Sequence, residues 1–183
     1  MHPFSSFFIR LLLLALLFVG GVSATAQQVT GLWHGRIDGR KVELKLIQKG
    51  DSLTGTSYYF ESPQRYTQYS VRGYFDATDN SVVWWDEVLL AQRGTTLLHR
   101  TDALLSVADF NCPGSGRMLL QGKAKEKEAP EVTKGNVDLT KTDVLLFPDA
   151  WDYVLDNFTM GTNDPDVIDS IALVAFTPDV KRP

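Results

Sequence analysis

At 183 residues the chain suits one domain of ordinary size, able to bury a core of its own. Its formal net charge of −4 argues against nucleic acid and anionic membrane surfaces as partners. A single cysteine, Cys112, excludes an internal disulfide scaffold.

The chain opens with Arg10, an apolar run "LLLLALLFVGGV" from Leu11 to Val22, and small residues at Ala24 and Ala26. A charge, a short apolar core and an A-x-A site form the pattern of a secretory signal peptide. The run is shorter than the roughly 20 residues a spanning helix needs. Cleavage is therefore expected after Ala26, leaving an exported chain, secreted or periplasmic, with no membrane span.

From Gly31 the pattern has period two, the signature of a half-buried strand. "KVELKLIQ" sets Val42, Leu44 and Leu46 on one face and Lys41, Glu43 and Lys45 on the other. After turn residues at Gly50 and Asp51 come "SLTGTSYYF" and "TQYSVRGYFD", the latter with Tyr69, Val71, Gly73 and Phe75 on one side. "SVVWWDEVLL" is apolar on both faces. "TTLLHRTDALLSVADF" is long, "NCPGSG" reads as a turn, "RMLLQGKAK" as a strand and "GNVDLTK" as a weaker one. Seven or eight short strands joined by turns predict an all-β fold, and sequential hairpins favour an antiparallel up-and-down β-barrel of about eight strands.

The final third is different. Gln27 to Glu128 holds 13 basic and 12 acidic residues, whereas Ala129 to Pro183 holds 4 and 10. "KAKEKEAPE" marks the change, so the barrel is predicted over 27–128 and an acidic segment over 129–183. Trp151, Val154, Leu155 and Phe158 fall at i, i+3, i+4 and i+7, which predicts a short helix over 149–158. "SIALVAFT" predicts a strand over 170–177.

Gly31-x-Trp33 resembles the G-x-W of lipocalins and related small barrels. Leu53, Thr54, Gly55, Thr56, Gly73, Phe75 and Asp76 extend the likeness to the opening strands of avidin-like proteins, over about residues 29–90. The resemblance implies a calycin-type barrel in which Gly31 and Trp33 form a structural plug at one end. It does not extend to the family's biotin contacts. The Asn or Asp expected two residues after the Trp is Gly35, and no Ser stands near Gly39 and Arg40. A buried ureido group needs paired hydrogen bonds, and Gly35 has no side chain to supply one.

An eight-strand barrel has room for side chains or one small ligand. Trp84 and Trp85 are adjacent, so they face opposite sides of one strand, and either choice carries a carboxylate, Asp86 or Glu87, inward. If Trp84 faces in, Asp86 and Val88 are expected to follow it. Solvation near a strand end is the plain expectation for that carboxylate; Arg72 or Arg100 is the partner expected if it is buried. Tyr59, Arg72, Trp84, Trp85 and His99 are the candidate ligand-binding residues. His99 lacks the further His, Cys or carboxylates that a metal would require, and no nucleophile motif or phosphate loop is present. The expected function is non-catalytic binding of a small apolar or amphipathic ligand in the barrel mouth, with no metal and no cofactor. The alternative is a solid-barrel interaction module that presents Tyr58, Tyr66 and Tyr74 to a secreted protein or an envelope polymer.

Overall fold

Alternating side chains separated by residues tolerant of left-handed backbone favour hairpins throughout. The computed structural model describes residues 29–94 and 103–159. The strands are β1 (Gly31–Ile37), β2 (Arg40–Lys49), β3 (Ser52–Ser62), β4 (Arg65–Asp76), β5 (Ser81–Arg93), β6 (Leu104–Gly114), β7 (Arg117–Glu126) and β8 (Thr133–Thr142). Helix α1 (Ala150–Thr159) follows. Each strand pairs antiparallel with the next and β8 pairs with β1, so the sheet closes as the expected up-and-down barrel. Asp38 and Gly39, at φ of 52° and 75°, form a two-residue turn; Ser115 and Gly116, at 55° and 72°, form another. Positive φ at both central residues matches the twist of the flanking strands.

Several boundaries differ from the alternation-based expectation. The "NCPGSG" stretch continues β6 as far as Gly114, and only Ser115 and Gly116 turn. The weak run "GNVDLTK" lies in β8, the strand that closes the barrel, so the barrel extends past the boundary expected at residue 128. In β8 only Val137 and Leu139 are buried apolar residues, which is why its pattern is faint. The helix spans Ala150–Thr159 where 149–158 was expected, with Trp151 and Val154 buried. The leader, the strand expected over 170–177, Arg100 and His99 lie outside the described residues.

One end of the barrel is sealed by aromatic side chains. Trp33 is fully buried, and its Nε1–H donates to the Val29 carbonyl at 2.9 Å. Phe110 meets it edge-on at 6.1 Å, Phe75 meets Phe110 at 6.4 Å, and Lys141 Nζ lies 5.7 Å from the Trp33 ring centre. Ring edges against ring faces are the favourable arrangement for such packing.

Gly35 has a reason specific to closure. A Cβ there would sit 2.0 Å from the Asp138 carbonyl oxygen of β8, and φ is 158°. The β1–β8 seam therefore requires glycine. Gly35→Ala is expected to cost about 1–3 kcal/mol, as overpacking does elsewhere. Chemical denaturation measures it; a change below the error of the midpoint would show that the seam yields freely.

Beyond β8, residues 146–152 lie against the outer wall of β2, β3 and β4. Glu43 and Lys45 point outward on β2, as the alternation predicts, yet both are 0% exposed. Glu43 accepts the Leu146 and Phe147 backbone N–H groups at 2.7 and 3.1 Å and meets His34 Nε2 at 2.8 Å. Lys45 Nζ donates to the Phe147 carbonyl at 2.6 Å, to Asp152 at 2.8 Å and to Asp149 at 3.0 Å. Phe147 stacks on Tyr58 at 4.6 Å and is met edge-on by Phe60 and Tyr66. Asp149 and Asp152 also order the first turn of α1: Asp149 accepts from the Trp151 N–H, and Asp152 from the Asp149 N–H. Asp149 and Asp152 thus act locally, as a clasp around one buried ammonium.

Candidate functional site

Away from Trp33, the barrel interior changes from apolar to polar. Trp84 faces in, 1% exposed, and Trp85 faces out, where its Nε1–H donates to Glu87. Asp86 follows Trp84 inward and is 1% exposed. The expectation that the inward carboxylate would be solvated is therefore overturned. Val88 does not follow, being 36% exposed. Register shifts between Gln68 and Val71 bulge the β4–β5 ladder, and a bulge re-aims the side chains beyond it. The Val88 N–H there donates to the Ser70 hydroxyl at 3.1 Å.

Asp86 is satisfied by groups other than those expected. Its Oδ1 accepts from the Ser57 hydroxyl at 2.8 Å, and its Oδ2 from the Tyr59 hydroxyl at 2.8 Å and the Leu104 N–H at 3.0 Å. Leu104 begins β6, one residue beyond the last β5–β6 backbone pair, Trp85 with Leu105. The carboxylate takes over a backbone donor where the ladder stops. The cation of the site is Arg40, at the start of β2, whose guanidinium carbon lies 4.2 Å from the Tyr59 ring centre. Arg72, expected as the partner, is exposed on the outer face opposite Trp85.

Of the five candidate residues, Tyr59 and Trp84 lie in this interior cluster, Arg72 and Trp85 point outward, and His99 is outside the described residues. Ser57, Asp86, Arg40, Thr67 and Ser106 complete it. Alternation offers Asp86 as an inward carboxylate but does not place Ser57, Thr67, Ser106 or Arg40 in the site. The inward period of "SLTGTSYYF" carries the signal for Ser57, two residues from Tyr59. Arg40 immediately follows the turn, where a charge reads as solvated.

The polar atoms of the cluster that have no hydrogen-bond partner among the described residues include Trp84 Nε1, Ser106 Oγ and Thr67 Oγ1. All three residues are at most 2% exposed. Ser106 is the direct cross-strand neighbour of Trp84, and Thr67 that of Tyr59. Such groups are rare in folded proteins, because each forfeits its hydration.

Burial raises the Asp86 carboxyl above its ordinary range, against the opposing effects of the Leu104 N–H, the two hydroxyls and Arg40. Burial, followed by the Asp86 charge, raises the Tyr59 phenol well above its usual value, and burial with Asp149 does the same to Tyr58. A phenol whose folded pKa is raised contributes stability that is present below about pH 10 and lost as pH climbs toward the folded value. In a spectroscopic titration of tyrosinate, at least two phenols, those of Tyr58 and Tyr59, should therefore ionise only together with alkaline unfolding. Tyr59→Phe should reduce that number by one. Smooth ionisation of every tyrosine in the folded protein would contradict this.

On the outer wall the three tyrosines expected to be exposed differ in their burial. Tyr58 faces outward but is 4% exposed beneath Phe147, and Tyr66 is half-buried against the same ring. Tyr74 alone of the three is exposed. Among the described residues no group of three or more His, Cys, Asp or Glu side chains is placed to hold a metal ion, and no helix is long and apolar enough to cross a membrane. Cys112 is a free, exposed thiol.

No protein-family model matches the chain, and no curated protein and no solved structure matches it.

Proposed function

We propose that this chain is an exported, non-catalytic binding protein that holds a small, partly apolar ligand inside its barrel, at the end opposite Trp33. One observation carries the reading: a buried cluster in which Asp86 is saturated by its neighbours while Trp84 Nε1, Ser106 Oγ and Thr67 Oγ1 have no partner among the described residues. A few convergent polar groups set in an apolar wall are the usual composition of a small-molecule site. Tyr59, Tyr69, Val71 and Leu104 supply the apolar surface. The likeness to lipocalin-like and avidin-like barrels supports a calycin-type assignment, with Trp33 as the plug. Gly35, pressed against the β8 backbone, leaves no place for the polar residue a biotin binder carries there. The leader supports export, and mature protein recovered from the exporting cell should begin at Gln27.

A thermal-shift screen of small alcohols, ketones and aromatic compounds tests the binding reading. Hits should raise the melting temperature and quench tryptophan emission, and Trp84→Phe should weaken both responses. A screen without a hit would defeat it.

A further inference from the structure

Resting on that reading, we infer that the ligand presents an uncharged hydrogen-bond acceptor, such as a ketone, ester or amide carbonyl, to Trp84 Nε1–H and the Ser106 hydroxyl. The argument starts from valence. An indole N–H donates and cannot accept, so whatever meets Trp84 must bring a lone pair. Ser106 stands directly across from Trp84 on the inward face and adds a hydroxyl that can donate to the same group. Both are 1% exposed, so bulk water does not reach them freely.

Charge narrows the class. The cluster contains one anion, Asp86, whose hydrogen bonds come from Ser57, Tyr59 and Leu104, and one cation, Arg40, packed on the Tyr59 ring. The two charges balance. A ligand carboxylate would meet Asp86 and a ligand ammonium would meet Arg40, each in a setting that screens charge poorly. An uncharged acceptor avoids both conflicts. Trp84 belongs to the same buried apolar cluster as Tyr59, Tyr69 and Val71, so the body of the ligand is expected to be hydrocarbon.

Four probes sharing one chain length separate the possibilities: 2-octanone, octane, octanoate and octylammonium, each titrated into the mature protein. The readout is affinity together with the indole N–H resonance of Trp84, assigned by its disappearance in Trp84→Phe. The ketone should bind about tenfold more tightly than octane, the size of one or two buried hydrogen bonds, and should move the Trp84 resonance downfield. Octanoate and octylammonium should bind more weakly than the ketone. Ser106→Ala, a small change that leaves the indole in place, should remove about half of the ketone's advantage on a logarithmic scale. Equal binding of octane and 2-octanone with the Trp84 resonance unmoved would overturn this assignment and leave the binding function standing. Tightest binding by octanoate or octylammonium would overturn the uncharged class. Binding by none of the four would overturn the assignment, and the broader screen then decides the binding function separately.

Discussion

Replacing Lys45 by Met is expected to release residues 146–152 from the barrel wall and to lower stability by about 3–5 kcal/mol, the usual result of removing one partner from a buried charge cluster. The ammonium is fully buried and donates to Asp149, Asp152 and the Phe147 carbonyl, with Glu43 at 3.8 Å. Methionine matches the length of the side chain but leaves three carboxylates close together without their cation. Docking also depends on Glu43 accepting the Leu146 and Phe147 N–H groups, so both amides should lose hydrogen-exchange protection in the variant. Chymotrypsin should then cleave after Trp151 under conditions where the parent resists. Lys45→Arg keeps the charge and should retain most of the protection. Unchanged protection in Lys45→Met would show that Phe147, stacked among Tyr58, Tyr66 and Phe60, holds the segment by apolar contact alone.

The second large effect is expected inside the barrel. Asp86→Ala leaves the Ser57 hydroxyl, the Tyr59 hydroxyl and the Leu104 N–H without their acceptor. Each orphaned donor costs about 1–3 kcal/mol. A total loss of about 3–5 kcal/mol is a large share of the 5–15 kcal/mol typical of a domain. Asp86→Asn keeps the shape and one acceptor oxygen, so its loss should be smaller, about 1–2 kcal/mol. The two variants also separate charge from hydrogen bonding. Because the Asp86 carboxyl is raised in the folded state, the native protein binds a proton there in a range where the unfolded chain has released it. The contribution of this group is therefore full below the unfolded value of about 4 and declines as pH rises through the folded one. The stability difference between parent and Asp86→Asn, measured by denaturation from pH 4 to 8, should shift in favour of the asparagine variant as pH rises. A shift the other way would mean that Arg40 and the three donors outweigh burial and lower the folded pKa of Asp86 instead of raising it.

Much of the architecture is legible in alternation. Val42, Leu44 and Leu46, or Tyr69 and Val71, declare an inward face because burial rewards a period of two, and Asp38-Gly39 and Ser115-Gly116 declare turns because few residues adopt positive φ. The closing strand is harder to read, since β8 shows only Val137 and Leu139 among polar neighbours. The site was partly legible: the adjacent Trp84 and Trp85 require one carboxylate to turn inward. Which one does so depends on strand register, and the bulge near Tyr69 ends the alternation before Val88.

The sequence by itself therefore determines the hairpins, the apolar inward faces and the change to an acidic C-terminal region. These follow from local properties: side-chain period, turn stereochemistry and charge count. Only the tertiary structure decides that Glu43 and Lys45, which read as a solvated outer face, are buried beneath residues 146–152. Only it decides that Asp86 is answered by Ser57, Tyr59 and Leu104, with Arg40 nearby, rather than by Arg72. In both cases the partners are distant in the chain, separated by 29 residues for Ser57 and Asp86 and by 104 for Lys45 and Asp149. A period of two specifies the side of a strand on which a side chain lies. What covers that side is set by how the closed barrel brings remote segments together.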